Sequence, residues 1–274
     1  MRRWLGLIPF VSFAVALIIM PVAMLIGQSL AGRDGPTLEY YAQVARPIYL
    51  SAFQNSLLLS ATTAFLGVIL GVPIAQAIVR SRNAMLRRAL IALSDVTTNF
   101  AGAPLAFSFV VVLGSTGIVT RILLQGFGVA LYPNFSIYSL SGLTLAYLYF
   151  QLPLMVLLIV PALEGLRREW NEAARNLGAS SWQYWRMVGL PILAPAILGG
   201  FVLLFANAFG AFATAYTLVG SNLNLATLQI AFLITGDVRH DPALASAMAI
   251  VMLIIMAACV ALFHVSQRRF ARWR

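Results

Sequence analysis

Long apolar runs alternate with short polar connections along the whole chain. A hydrocarbon core about 30 Å thick is crossed by about 20 apolar residues in a helix. The sequence predicts six such spans, at residues 5–30, 52–79, 89–113, 138–163, 191–219 and 243–265. We expect Pro73, Pro104 and Pro153 to bend their helices, because proline frees a backbone carbonyl inside a span. The pattern indicates an all-α integral membrane protein with a single transmembrane domain over residues 1–274.

One connection, residues 164–190, is long and polar. Apolar residues in and just before its first half recur at spacings of three and four, which places them on one helix face. These residues are Leu163, Leu166, Trp170, Ala173 and Leu177. Arg168, Glu172 and Arg175 lie on the opposite face, where Glu164 with Arg168 and Arg168 with Glu172 have the spacing of i,i+4 ion pairs. The first half of this connection is therefore predicted to be an amphipathic helix.

A glycine corner is predicted to follow this helix. Gly178 interrupts the periodic pattern, as expected where a helix ends in a left-handed residue. The Ser180 hydroxyl is suited to cap a second short helix, and Pro191 is expected to end that helix and open the fifth span. Two interpretations follow from these residues: an interfacial hairpin lying on the inner leaflet, or a docking element that presents two short helices to a cytoplasmic partner.

Composition agrees with a membrane protein and excludes several kinds of chemistry. Hydrophobic residues make up 61% of the chain and the mean hydropathy is +0.89. Soluble domains have roughly 45–50% apolar residues. The 18 basic residues are all arginine, so a Walker A lysine or a Schiff-base lysine cannot occur in this chain.

The arginines predict the orientation of the spans. Fourteen of them lie before the first span, in two alternate connections or in the tail: Arg2, Arg3, Arg80, Arg82, Arg87, Arg88, Arg167, Arg168, Arg175, Arg186, Arg268, Arg269, Arg272 and Arg274. Only Arg33, Arg46, Arg121 and Arg239 fall on the other side. The positive-inside rule places both termini in the cytoplasm. The net charge of +10 is thus mainly a topology signal, and a nucleic-acid partner is not expected.

The first apolar segment has a second interpretation as a secretory signal peptide. Arg2 and Arg3 precede it, and the small residues Ser29 and Ala31 follow. Its apolar run of about 26 residues exceeds the roughly 7–15 residues of a signal h-region. We therefore expect a retained span.

Residues 172–191 resemble the EAA loop of the permease subunits of binding-protein-dependent ATP-binding-cassette importers. In that motif E-A-A is followed by three residues, G, nine residues, I, one residue and L-P. The matching positions here are Glu172, Ala173, Ala174, Gly178, Val188, Leu190 and Pro191. Valine at 188 replaces isoleucine, a change that keeps the shape of the side chain.

The resemblance implies a type I (MetI-like) permease fold in the bacterial cytoplasmic (inner) membrane. The hairpin would be the coupling helix, seated in a cleft of a separate ATPase subunit. ATP and Mg²⁺ would bind to that ATPase, so no cofactor is implied for this chain, which would be a transport subunit and not an enzyme. Two ATPase copies, a second permease, homologous or identical, and an extracytoplasmic solute-binding protein would complete the importer.

The resemblance also implies which residues act in coupling. Gly178 is expected to matter most, because a Cβ at a left-handed corner would misdirect the second helix. Glu172 is expected either to contact the ATPase or to pair locally with Arg168 or Arg175. Ala173 and Ala174 are small, which lets the helix seat closely. Leu190 and Pro191 complete the motif.

Polar groups inside the spans are candidates for the solute path. Asp95 is the one carboxylate within a predicted span; it either reaches the interface, pairs with an arginine such as Arg88, or lines the passage and favours a cationic solute. Asn99, Asn207 and Tyr216 are further candidates, with interhelical hydrogen bonding as the alternative role. Gly67 and Gly71 form a G-x-x-x-G, which predicts close helix packing.

Two other classes of function compete with the importer permease. An ion-coupled secondary transporter would use Asp95 as its ion site and predicts a repeat between halves, which the sequence does not show. An integral-membrane enzyme would need an acid/base pair, nucleophile or metal cluster, and His240 and His264 have no ligand at metal-binding spacing. The general layout resembles permeases for polyamines, phosphonates and ferric iron more than those for sugars.

Overall fold

The computed structural model describes residues 12, 13, 15–32, 35–236 and 240–271. Sequence predictions that rest on Arg2, Arg3, Arg33, Arg239, Arg272 and Arg274 lie outside these residues, as does most of residues 5–14 of the first predicted span. The chain divides into two compact units, one formed by Met1–Asn55 with Asn224–Ala258 and one by Ser56–Leu223 with Cys259–Arg274. The prediction of a single domain stays a prediction.

The described chain is nearly all helical. The helices are α1 (Val15–Leu30), α2 (Glu39–Val44), α3 (Pro47–Arg80), α4 (Ala84–Asn99), α5 (Ala103–Leu113), α6 (Ile118–Phe127), α7 (Leu140–Glu164), α8 (Arg168–Asn176), α9 (Ser181–Gly210), α10 (Ala213–Val219), α11 (Ala226–Thr235) and α12 (Pro242–Ala271). The two strands, β1 (Ala31–Gly32) and β2 (Gly35–Pro36), pair antiparallel.

Five stretches of the described chain are long and apolar enough to cross a membrane: Pro47–Arg80, Ala103–Phe127, Leu140–Glu164, Ser181–Gly210 and Pro242–Val265. A sixth is reached if Ala213–Asn222 and Ala226–Thr235 are taken as one broken span. The all-α membrane architecture is therefore confirmed. The second, fourth and sixth predicted spans correspond to α3, α7 and α12, and α1 is the described part of the first.

The predicted third span, residues 89–113, is wrong in its continuity. One helix ends at Asn99 and the next begins at Ala103, and the apolar stretch of spanning length runs over α5 and α6. Gly102 stands between them with φ +77° and ψ −147°, a conformation nearly restricted to glycine. Pro104 lies in the first turn of α5 and does not bend a helix, because the first turn has no intrahelical partner for its missing N–H.

The predicted fifth span, residues 191–219, is wrong at both ends. Helix α9 begins ten residues earlier, at Ser181, and ends at Gly210. Pro191 does not interrupt it, because a π turn over Trp185–Gly189 precedes the proline and bonds the Leu190 N–H to the Trp185 carbonyl. The helix stops before Ala211, whose freed carbonyl accepts a hydrogen bond from the Tyr147 hydroxyl at 3.1 Å.

Helix α7 forms the core of the second unit. Half of the residues in its most apolar part are buried, against 17–33% in the other long apolar stretches. Gly71 and Gly200 both approach Met155 so closely that an added Cβ would lie 2.7 Å from its side chain. The close packing predicted for Gly67 and Gly71 is confirmed, since a Cβ on Gly67 would also lie 3.0 Å from Leu204.

The first unit is tied together by side-chain hydrogen bonds. The amide of Asn224 donates to the Ile48 carbonyl at 2.6 Å and to the Ser51 hydroxyl at 2.7 Å, and the amide of Asn55 donates to the Asn224 carbonyl. The start of α3 is thus bonded to the residues that precede α11.

Candidate functional site

The hairpin formed by α8 and the first turns of α9 turns at a glycine corner. Gly178 has φ +80°, as the sequence predicts. Its N–H donates to the Arg175 carbonyl and the Ala179 N–H donates to the Ala174 carbonyl, both at 2.9 Å. These two hydrogen bonds form a Schellman motif, which satisfies the last carbonyls of α8 and reverses the chain.

A capping box fixes the start of α9 directly after this corner. The Gln183 N–H donates to the Ser180 hydroxyl at 3.3 Å, and the Ser180 N–H donates to the Gln183 side-chain carbonyl at 2.7 Å. The cap predicted at Ser180 is confirmed. Gln183 was missed by the sequence interpretation, although the S-x-x-Q spacing is a signal for such a box.

The apolar stripe predicted for one amphipathic helix belongs to two elements. Leu163 is buried near the end of α7, Leu166 lies in the connection, and α8 begins only at Arg168. The break occurs because Arg167 is extended, with φ −68° and ψ 136°. The prediction of an uninterrupted helix from Leu163 is therefore wrong, and α8 is a separate short helix.

The ion pairs around the hairpin also differ from the predicted ones. Glu164 bonds to Arg87 of α4 at 2.6 Å and not to Arg168. This is the one ion pair among the described residues, so Glu172 pairs with neither Arg168 nor Arg175 there. Glu172 is exposed, and its carboxylate is available to a partner.

Large apolar side chains are exposed along the hairpin. Leu177 is 88% exposed, Met187 74% and Trp182 69%. Of the motif residues, Ala173 and Leu190 are exposed and Ala174 is half-buried. Pro191 lies within α9, so the motif ends inside a long apolar helix and not before it. This face of the hairpin is suited to contact another protein, and the coupling role of each residue stays a prediction.

A second polar region lies where two helices are broken. A cavity of about 560 Å³ opens between the α4–α5 break and the α9–α10 break, lined by Thr98, Ala101, Gly102, Phe150, Leu154, Ala206, Asn207, Gly210, Ala211, Phe212, Ala213 and Thr214. The Thr214 hydroxyl connects the breaks: it accepts from the Gly102 N–H at 2.9 Å and lies 3.4 Å from the Gly102 carbonyl, to which it donates. Backbone groups that a continuous helix would satisfy are thus brought to the cavity.

The cavity brings together only some of the predicted path residues. Asn207 lines it, but Asp95, Asn99 and Tyr216 do not. Asp95 is exposed and makes no ion pair with Arg88, and the Asn99 amide donates to the Asp95 backbone carbonyl. Tyr216 is half exposed, with its ring centroid 5.1 Å from that of Phe212.

Thr98 and Gly102 were missed as cavity residues. Thr98 stands in a polar run within an apolar segment, which was a usable signal. Nothing near Gly102 in the sequence indicates its partner, which is 112 residues away. Over the described residues no three His, Cys, Asp or Glu side chains approach closely enough to hold a metal ion.

Comparison with known proteins shows that most of the chain matches one protein family. Residues 64–274 match the family described as the binding-protein-dependent transport system inner membrane component. This segment contains the whole hairpin and the whole cavity.

Individual relatives carry different solutes in their names. The chain is 32% identical over 206 residues to the thiamine transport system permease protein ThiP of Escherichia coli, covering 75% of this chain but 37% of that relative's length. It is 29% identical over 228 residues to the molybdenum transport system permease protein ModB of Mycobacterium tuberculosis, covering 82% and 81% of the two chains. It is 26% identical over 264 residues to the spermidine/putrescine transport system permease protein PotB of Haemophilus influenzae, covering 92% and 90%.

Solved structures share the fold. A chain of a bacterial ABC transporter involved in alginate import superposes with a TM-score of 0.78 at 17% identity, covering 98% of this chain and 96% of that one. A chain of the MetNI methionine ABC transporter in an inward-facing conformation superposes with a TM-score of 0.63 at 16% identity, covering 82% and 99%.

Proposed function

The chain belongs to the family of binding-protein-dependent transport system inner membrane components, and from this premise we propose that it is the permease subunit of an ATP-driven importer. It forms half of a translocation pathway, receives a small polar or charged solute from an extracytoplasmic binding protein, and couples to a separate ATPase through the hairpin of α8 and α9.

The observation that carries this proposal is the continuity of α9. The helix starts at the capping box of Ser180 and runs to Gly210 without a break. The second arm of the hairpin and a membrane-length helix are therefore one continuous helix of 30 residues. A partner that binds the hairpin therefore acts directly on this helix. ATP-driven switching between inward-open and outward-open states requires such a connection.

The partners follow from the same proposal. Two copies of a cytoplasmic ATPase bind ATP and Mg²⁺, and a second permease, identical or homologous, supplies the other half of the path. The sequence has no G-x-x-x-x-G-K-[ST], so the nucleotide site belongs to the other polypeptide. The arginine distribution supports cytoplasmic termini in a bacterial inner membrane.

The solute path is proposed to pass the cavity between the two helix breaks. Thr98, Asn207 and Thr214 offer hydroxyl and amide groups, and no ionisable side chain lines the cavity. Such a lining orients a polar solute through hydrogen bonds and leaves recognition of its charge to the binding protein. A polyamine, a phosphonate or a similar solute stays the class that we propose, although the named relatives are permeases of thiamine, molybdenum and spermidine/putrescine transport systems.

A substitution at the corner tests the coupling. Gly178→Val is expected to abolish ATP-driven uptake by the chain reconstituted with the ATPase that co-purifies with it, because a β-branched residue resists the left-handed conformation. The effect is conformational, since a Cβ at Gly178 would meet no atom within 4 Å. The solute is identified from the binding protein that co-purifies with the chain, and its ATP-driven uptake is measured.

Gly165→Ala is the control, at the glycine that begins the connection into α8. Gly165 has φ −72°, and an added Cβ would lie 3.4 Å from the Ala162 carbonyl oxygen, an ordinary contact. This variant should transport as the wild type does. ATP-independent uptake that both variants retain would support an ion-coupled transporter instead, a function that no observation favours, since Asp95 lies outside the cavity.

A further inference from the structure

A second cavity in the same unit has an unusual concentration of arginine. Its volume is about 490 Å³, and it lies among the ends of α3 and α7, the start of α4, α8 and the first turns of α9. Six arginines line it: Arg80, Arg82, Arg87, Arg167, Arg168 and Arg175. Glu172 is the one carboxylate in the lining.

The positive charge of this arginine pocket is not compensated within the described residues. Glu172 lines the pocket, and Glu164, which is outside the lining, bonds to Arg87. Arg80 lies over the Trp185 ring at 5.7 Å, while Arg82, Arg168 and Arg175 have no side-chain hydrogen bond or ion pair in the described part of the chain. Four positive charges therefore remain, and their repulsion favours an anion between them.

Apolar surface adjoins the arginine pocket on one side. Leu163, Leu166 and Trp185 form part of its wall. Arg80 is the last residue of α3, a membrane-length helix, and Leu70 and Ile74 are each nearly half exposed on the turns that precede it. Guanidinium groups at the end of a span, with apolar helix surface leading away from them, match an amphiphile that carries an anionic head.

We propose that the arginine pocket binds the phosphate group of an anionic phospholipid. The guanidinium groups hold the phosphate oxygens through charge-assisted hydrogen bonds, and the acyl chains lie along the exposed face of α3. Basic pockets at the cytoplasmic ends of membrane helices bind such headgroups. The choice of the cytoplasmic leaflet rests on the proposed topology of the permease.

This site would connect the bilayer to the coupling hairpin. The phosphate would join α3 and α4 to α8, because Arg80, Arg82 and Arg168 come from different segments but face one cavity. Lipid composition would then affect how firmly the hairpin is held against the membrane helices. The binding itself requires neither ATP nor the transport cycle.

The test measures lipid binding to the full chain in nanodiscs made of phosphatidylcholine with a minor fraction of phosphatidylglycerol. Native mass spectrometry of the released protein should show phosphatidylglycerol retained in preference to phosphatidylcholine. Arg82→Gln should lower the phosphatidylglycerol affinity about fivefold and Arg82→Gln with Arg167→Gln about 25-fold, because each arginine near the surface contributes similarly. Arg82→Lys keeps the charge and should bind within about twofold of the wild type.

Arg88→Gln is the matched control. Arg88 is exposed and lies beside Arg87 on α4, but it does not line the pocket. It should retain phosphatidylglycerol as the wild type does. Equal loss in Arg88→Gln and Arg82→Gln would overturn the site, because it would show a general surface charge effect.

Two further measurements identify the source of the anion. If inorganic phosphate displaces phosphatidylglycerol and binds equally well to lipid-free protein, the lipid assignment is overturned in favour of a soluble phosphate. If the arginine variants keep their lipid but lose the ATPase, the pocket receives an acidic segment of that subunit and the proposal fails. Loss of lipid with unchanged ATPase binding supports it, and this result does not depend on whether the chain transports.

Discussion

Two glycine corners in the second unit share a positive φ and differ in what holds them. Gly178 joins α8 to α9 with φ +80°, and the two hydrogen bonds of this corner span three and five residues along the chain. Gly102 joins α4 to α5 with φ +77°, and its N–H and carbonyl both bond to Thr214, 112 residues away. One corner is a local motif and the other is a tertiary contact.

The difference predicts which corner tolerates change. A corner made by neighbouring residues can deform with its own hairpin, so strain there remains local. A corner held between two broken helices cannot shift without moving the partner helix, so strain there reaches the core around α7. Gly178 should therefore influence function more than stability, and Gly102 should influence both.

Gly102→Ala is expected to have the largest effect on stability. The backbone at φ +77° and ψ −147° is nearly closed to any residue with a Cβ, so the substitution should lower the free energy of unfolding by about 3 kcal/mol. Equilibrium unfolding in mixed detergent micelles measures this value. Gly210→Ala, in the same cavity lining but with open space around its Cβ, should leave it unchanged.

Thr214→Val should lower the free energy of unfolding by about 2 kcal/mol, because two backbone groups of Gly102 lose their hydrogen-bond partner. The same unfolding measurement applies. In the Gly102→Ala background, Thr214→Val should lower the free energy of unfolding by less than it does in the wild type. The reason is that the corner supported by Thr214 is already distorted there. Strict additivity would contradict the tertiary account of this corner.

Gly178→Ala should lower the free energy of unfolding by about 1.5 kcal/mol, the cost of placing a Cβ in the left-handed conformation. Uptake should fall further than this loss of stability alone explains. A stability loss as large as that of Gly102→Ala would remove the distinction between the two corners.

Ser180→Ala should have the smallest effect and lower the free energy of unfolding by about 1 kcal/mol, because α9 loses its N-terminal cap. Ser181→Ala, one residue further along and exposed, is its control. Hydrogen exchange at the first turn of α9 is the sensitive measurement, because the cap acts on those amides. Protection that is unchanged there would show that the capping box does not hold the hairpin.

Local signals account for the parts of the site that the sequence predicted. Gly178, Ser180 and the EAA positions were found because their partners are within a few residues, so their spacing is visible in the chain. The same reasoning placed α3, α7 and α12, since length and hydropathy alone decide whether a helix can cross a bilayer. The family assignment followed from the same local stretch.

Signals with distant partners were missed or misjudged. Pro191 is a local exception: it does not end the helix, because a π turn that bonds the Leu190 N–H to the Trp185 carbonyl lets α9 continue through it. Glu164 was assigned to a neighbouring arginine, whereas its partner Arg87 is 77 residues away. Asp95 was the most conspicuous candidate of the path by charge, and the fold leaves it outside the cavity.

The sequence by itself determined the membrane class, the approximate spans, the glycine corner and the family, because each depends on hydropathy or on residues that are neighbours in the chain. Only the tertiary structure decided that two spans break at a common cavity, that α9 joins the hairpin to the membrane, and that six arginines surround one pocket. Those features depend on which distant segments pack together, and that choice is made by the shape of the whole core around α7.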